Sequence, residues 1–213
     1  MLLLRFGRLI FGLFLYALGI VFTIKANIGY APWDVFHIGI SKTIGITIGA
    51  ASIIVGLLVV LIVWIAKEKI GFGTLLNMIL IGIFMDILFY IDIIPIFDNA
   101  ILGFLELSIG LFIIAIASYF YINSGFGAGP RDSLMIFLVR KAKLPVGVIR
   151  TTLEILVTFL GWLLGGKVGI GTVIAGFWIG FCIQITFKAL RFNPTKIKHQ
   201  DFLETINAIW CRK

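Results

Sequence analysis

"NIGYAPWD", residues 27–34, and "GFGAGPRD", residues 125–132, decide how this chain folds. Each carries a glycine and then a proline two residues before an aspartate, inside sequence apolar enough for lipid. Pro32 and Pro130 lie 98 positions apart, and the same offset links Gly29 to Gly127 and Asp34 to Asp132. It also maps Gly49 onto Gly147, Trp64 onto Trp162, and Gly12-Leu13-Phe14 onto Gly110-Leu111-Phe112. Lys69, Gly71, Gly73, Thr74 and Gly82 map onto Lys167, Gly169, Gly171, Thr172 and Gly180. Apolar matches arise by chance in such a composition, but an ungapped run of Gly, Pro, Asp and Trp matches does not. The chain therefore reads as two repeats, 1–98 and 99–196, with a cytoplasmic tail at 197–213, all within one membrane domain.

The composition supports a membrane setting. Of 213 residues, 61% are hydrophobic and 13% charged, and the mean hydropathy is +1.13. Soluble domains carry about 25% charged residues. The net charge of +8 suggests nucleic acid in a soluble protein; here it reads as charge on cytoplasmic loops, and no nucleic-acid partner is expected. Cys182 falls in an apolar span and Cys211 in the basic tail, so no disulfide framework is expected. His37 and His199 are far apart and no ligand spacing appears, so neither a metal nor a cofactor is expected.

Three apolar runs in each repeat approach the ~20 residues that a helix needs to cross a bilayer. They are 7–25, 47–66 and 72–91, then 101–122, 145–164 and 170–190. The segments 32–44 and 130–142, opened by the Gly/Pro motif, are too short, so each is expected to be a re-entrant or interfacial half-helix. The fold class is thus an all-α membrane protein with six transmembrane helices. An odd number of spans per repeat makes the second repeat insert inverted relative to the first.

Charge gives an independent reading of orientation. With the N-terminus inside, the cytoplasm receives Arg5, Arg8, Lys67, Lys69, Arg131, Arg140, Lys141, Lys143, Arg150, Lys188, Arg191, Lys196, Lys198, Arg212 and Lys213. The outside receives only Lys25, Lys42 and Lys167. Both termini are expected in the cytoplasm.

Proline is favoured at the first helical position, which puts Asp34 and Asp132 at the third position of their half-helices, facing free amides and the positive end of the dipole. Capping is the plain reading of both. Broken helices at membrane depth also meet at the substrate sites of inverted-repeat transporters, and the two roles are compatible. Gly29, Pro32, Gly127, Gly129 and Pro130 make the breaks. Departures from symmetry mark further candidates: Trp33 becomes Arg131, while Ser52 and Gly56 become Arg150 and Glu154. The last two share a helix face and can pair at i, i+4; Glu154 lies near mid-depth, where an ionisable group is costly. Trp33, Asp34, Arg131, Asp132, Arg150 and Glu154 are the expected substrate-binding or gating residues. His37, Asp86 and Gln184 are secondary candidates, Gln184 reading as an interhelical hydrogen bond and Glu106 as interfacial. Gly71-Phe-Gly-Thr and Gly169-Ile-Gly-Thr read as helix-start breaks. No nucleotide-binding, zincin or nucleophile-elbow pattern appears, so catalysis is not expected.

"GYAPWD" with "GFGTLLNMILIG", and "GAGPRD" with "VIRTTLE" and "GIGTVIAGFWIG", resemble the YczE/YyaS/YitT-type family of bacterial membrane proteins, in its YczE-like branch. The resemblance runs from about Phe6 to Phe192. It implies a bacterial plasma-membrane location, and its motif positions carry over to Pro32, Trp33, Asp34, Gly129, Pro130, Arg131, Asp132, Arg150 and Glu154. The expected function is small-solute transport with a central site between the half-helices. The alternatives are a passive channel and a binding or accessory subunit of a larger complex. Expected partners are membrane lipid and a small molecule or ion, with room for a homo-oligomer or complex partner.

Overall fold

The computed structural model describes residues 2–68, 70–127, 129–194 and 197. Lys69, Lys196, His199, Cys211 and the basic tail from Lys198 onward lie outside the described residues. Among the described residues the chain forms eight α-helices and no strand. These are α1 (Leu2–Lys25), α2 (Pro32–Ile44), α3 (Ile48–Ile65), α4 (Phe72–Ile91), α5 (Ala100–Ser124), α6 (Pro130–Ala142), α7 (Val146–Leu163) and α8 (Ile170–Ala189). Six of them, all but α2 and α6, are long and apolar enough to cross a bilayer. The chain is a multi-pass membrane protein. At ~1.5 Å per residue, the 13 residues of α2 or α6 reach roughly 20 Å.

Adding 98 to the bounds of α2, α3 and α4 returns those of α6, α7 and α8. The local reasons repeat too. Proline opens both short helices, and a left-handed residue closes each: Gly45 at φ 77 donates to Ser41 O, and Lys143 at φ 55 donates to Val139 O.

The centre is an antiparallel pair, α1 against α5. Glycines let the backbones meet, as is common between helices in lipid, where close packing replaces the hydrophobic effect. A Cβ on Gly19 would lie 2.7 Å from Gly110 O, and one on Gly103 would lie 2.5 Å from Ala26 O. Leu9, Leu13, Val21, Leu107 and Leu111 fill the seam. Around it, α4 packs on α1 and α8 on α5; α7 packs on α2 and α6 on α3.

Each short helix is tethered across the molecule. Ahead of α2, Ile28 O accepts from Gly171 N at 2.8 Å, at the start of α8; ahead of α6, Phe126 O accepts from Gly73 N at 2.7 Å, at the start of α4. Gly29 at φ 120 and Gly127 at φ 119 hold the left-handed region that an L side chain rarely adopts. They also lie against the backbones of Gly169 and Gly71. The hydroxyls of Thr74 and Thr172 accept from Gly71 N and Gly169 N. The Gly-x-Gly-Thr segments are helix starts, and they also serve as docking seats for the opposite tether.

One pair of equivalents differs. α3 and α4 are clasped: Asp86 accepts from Thr47 Oγ1 at 2.6 Å and from Gly49 N at 2.8 Å. A Cβ on Gly82 would lie 2.6 Å from Gly49 O, and one on Gly56 2.6 Å from Met78 Cγ. α7 and α8 scarcely touch. At their glycines Gly147, Gly176 and Gly180 an added Cβ meets nothing within 4 Å. Pro145 stands where Thr47 stands and Gln184 where Asp86 stands, so the clasp has no donor hydroxyl to close it.

Candidate functional site

The tips of α2 and α6 converge beside α1. Arg131 lays its guanidinium over the Trp33 ring, 4.7 Å from the centroid, a cation–π contact between equivalent positions of the two motif copies, tryptophan in one and arginine in the other. Arg131 Nη2 also lies 3.5 Å from His37 Nε2. His37 Nδ1 faces Asp34 Oδ1 at 3.7 Å, beyond hydrogen-bond length. Both of those atoms are buried without a hydrogen-bond partner.

Two hollows flank this stack. The first, about 110 Å³, is lined by His37, Ser52, Gly56, Asn77, Tyr121 and Asp132 among others. The second, about 150 Å³, is lined by Asp34, Asp132, Arg150, Glu154, Ala175 and Gly176 among others. Tyr16, Ile20, Trp33, Arg131 and Asp132 border both. Each is well above the ~10–15 Å³ needed for one water. The linings are counterparts: Ser52, Val55, Gly56, Asn77, Met78 and Ile81 of the first correspond at the 98-residue offset to Arg150, Leu153, Glu154, Ala175, Gly176 and Ile179 of the second. Among the described residues these two hollows thus pair off, one with each repeat, and the Trp33–Arg131 stack stands between them. At these equivalent places only the second is charged: Arg150 Nε donates to Glu154 Oε1 at 3.1 Å, whereas the first offers Ser52 and Gly56.

The structure therefore brings Trp33, Asp34, Arg131, Asp132, Arg150, Glu154 and His37 together around one centre. Gly29, Pro32, Gly127, Gly129 and Pro130 shape the turns that lead into it. Three expectations need correction. Asp34 does not cap α2, because its side chain bonds no amide there. Asp86 lies outside both hollows and clasps α3 to α4. Gln184 is exposed and makes no interhelical hydrogen bond. Glu106, near the start of α5, is 4% exposed, with both carboxylate oxygens unpartnered.

Residues missed in the sequence are Tyr16, Asn77, Ser118 and Tyr121, which supply neutral polar groups to the first hollow. Tyr121 donates its hydroxyl to Gly127 O at 2.9 Å, tying the tether of α6 to α5. Asn77 carried a readable signal, as a lone amide within an apolar span where its counterpart is Ala175.

Comparison with known proteins places the chain in a family. Residues 3–188 match a family of unknown function, DUF6198. The chain belongs to that family. It is 35% identical over 179 residues to the uncharacterised membrane protein YczE of Bacillus subtilis, covering 82% of this chain and 81% of YczE. An uncharacterised protein of Haemophilus influenzae is 35% identical over 188 residues, covering 87% of this chain and 84% of that one. The uncharacterised protein YyaS of Bacillus subtilis is 28% identical over 166 residues, covering 76% and 82% respectively. No solved structure matches the chain.

Proposed function

We propose that the protein is a small-solute transporter of the bacterial plasma membrane, working by alternating access about the Trp33–Arg131 partition. The observation that carries this reading is the pair of hollows lined by equivalent positions of the two repeats and divided by one stacked pair. The antiparallel packing of the counterparts α1 and α5 supports an inverted relation between the repeats. With inversion, α2 and α6 are re-entrant half-helices entering from opposite faces, both termini are cytoplasmic, and each hollow serves one side of the membrane. Ionisable groups held at such a centre are costly in lipid and mark solute or proton pathways. The tip of α2 and the tip of α6 bring Asp34, Asp132 and Glu154 to the site, set against Arg131 and Arg150.

The test is flux in proteoliposomes, screened with labelled small amines, carboxylates and zwitterions. A saturable flux that is stimulated by solute on the far side and abolished in the double variant Asp34→Ala/Asp132→Ala is the expected result. Flux without trans-stimulation identifies a passive channel. Undiminished flux in the double variant removes the proposed site. The absence of saturable flux across the whole panel, with co-purification of a partner enzyme, favours the accessory-subunit reading.

A further inference from the structure

The second hollow is not closed off from the lipid side. Between α7 and α8 runs a cleft of about 640 Å³, lined by Thr151, Ile155, Phe159, Trp162, Val173 and Phe177 among others, within the ~300–1,000 Å³ of small-molecule sites. It shares Pro32, Arg150, Glu154 and Gly176 with the second hollow. The cleft and the polar chamber therefore meet at the Arg150–Glu154 pair. Its walls are mostly apolar side chains exposed to the bilayer: Ile155 is 65% and Phe177 76% exposed.

The equivalent route in the first repeat is shut. There Met78 packs against Gly56, and Asp86 clasps α3 to α4. In the second repeat the counterpart of Met78 is Gly176, which leaves the space open, and the counterpart of Gly56 is Glu154, which puts a charge at the inner end of the cleft. The opening is thus written in sequence as small-for-large and charged-for-small exchanges at facing positions.

Resting on the transport reading, we propose that the substrate is a single-chain zwitterionic amphiphile that enters sideways from the bilayer between α7 and α8. Its hydrocarbon chain lies in the apolar cleft. Its head group passes Arg150 and Glu154 to reach Asp34, Asp132 and Arg131. Both signs of charge stand side by side at the inner end, Arg150 bonded to Glu154, so a head carrying an ammonium and a phosphate can exchange with the pair ion for ion. A water-soluble solute has no use for 640 Å³ of greasy cleft. A helix of a second copy, which would satisfy the same apolar walls, gives no role to the charges behind them.

The experiment is photolabelling of the full chain in vesicles with a lysophosphatidylethanolamine carrying a diazirine on its acyl chain. Saturable labelling is expected on α7 and α8, displaced by excess unlabelled lysophosphatidylethanolamine. Neither glycerophosphoethanolamine, the head without a chain, nor a long-chain alcohol at the same concentration displaces it. Gly176→Trp, filling the cleft where a side chain meets nothing, is expected to cut the saturable component at least tenfold. Gly176→Ala is expected to retain it. Equal labelling of the outward faces of α3 and α7, insensitive to Gly176→Trp, overturns the proposal, as does a cleft-crosslinked dimer with no saturable labelling. Binding and flux fail separately. Saturable labelling with no flux of any solute removes transport and keeps the portal. Flux of a water-soluble solute that survives Gly176→Trp keeps transport and removes the portal.

Discussion

The contrast between the two halves predicts opposite outcomes for one substitution made 98 residues apart. In Gly82→Ala the new Cβ falls 2.6 Å from Gly49 O and 2.6 Å from Ile53 Cγ1, where ordinary contact begins at 3.4 Å. Backbone of α3 has to retreat by about 0.8 Å, and overpacking of this kind costs about 1–3 kcal/mol. Alanine recovers roughly 1 kcal/mol of helix propensity over glycine. In Gly180→Ala the Cβ meets nothing within 4 Å, so only the gain remains. The two variants should differ by about 2 kcal/mol, which for a chain of this size is a gap in Tm of about 4–8 °C. Gly82→Ala is expected to be the lower. Thermal unfolding of each purified variant in the same detergent, followed by size-exclusion with tryptophan fluorescence, measures it. Equal losses at both positions would mean that α7 and α8 are packed as tightly as α3 and α4, and the argument for an open cleft would collapse.

Three other outcomes follow from single contacts. Asp86→Ala removes two charge-assisted hydrogen bonds that span α4 and the start of α3; it should lower stability by about 2–3 kcal/mol, measured in the same unfolding assay, and Asp86→Asn should recover part of that. Glu106→Gln replaces a buried carboxylate whose oxygens have no partner with a neutral isostere, so stability should rise by about 1–2 kcal/mol; a fall would reveal a partner formed in the working protein. Trp33→Leu removes the face on which Arg131 rests, a contact of about 1–2 kcal/mol when partly desolvated, and should raise the uncoupled leak of proteoliposomes roughly five- to thirtyfold, read as solute escape without counter-solute.

The short helices were legible to the residue. Proline at the first position and the length between breaks set 32–44 and 130–142, because those constraints are local and covalent. The six spans were legible by length and hydropathy, with α1 running further toward the N-terminus than the apolar run alone indicates. The charged centre was legible as well, since ionisable residues are scarce in lipid-solvated sequence and most had to converge. Which face of each helix turns inward was not. In a bilayer the buried and the lipid-facing sides are both apolar, so periodicity loses its contrast. That is why the sequence does not point to Tyr16, Ser118 and Tyr121, or to the burial of Glu106 near its span end. The clasp made by Asp86 depends on a hydroxyl 39 residues away, a pairing no local pattern announces.

The crossed tethers carry a consequence for how the chain matures. The amide at the head of α4 is satisfied only after Phe126 has been synthesised, and the carbonyl of Ile28 waits for Gly171. Until then water or lipid head groups must satisfy these groups, and neither short helix has the tether that fixes its entry. Assembly is therefore set to finish as one event near the end of translation, and two separately expressed halves should survive proteolysis only when made in the same cell.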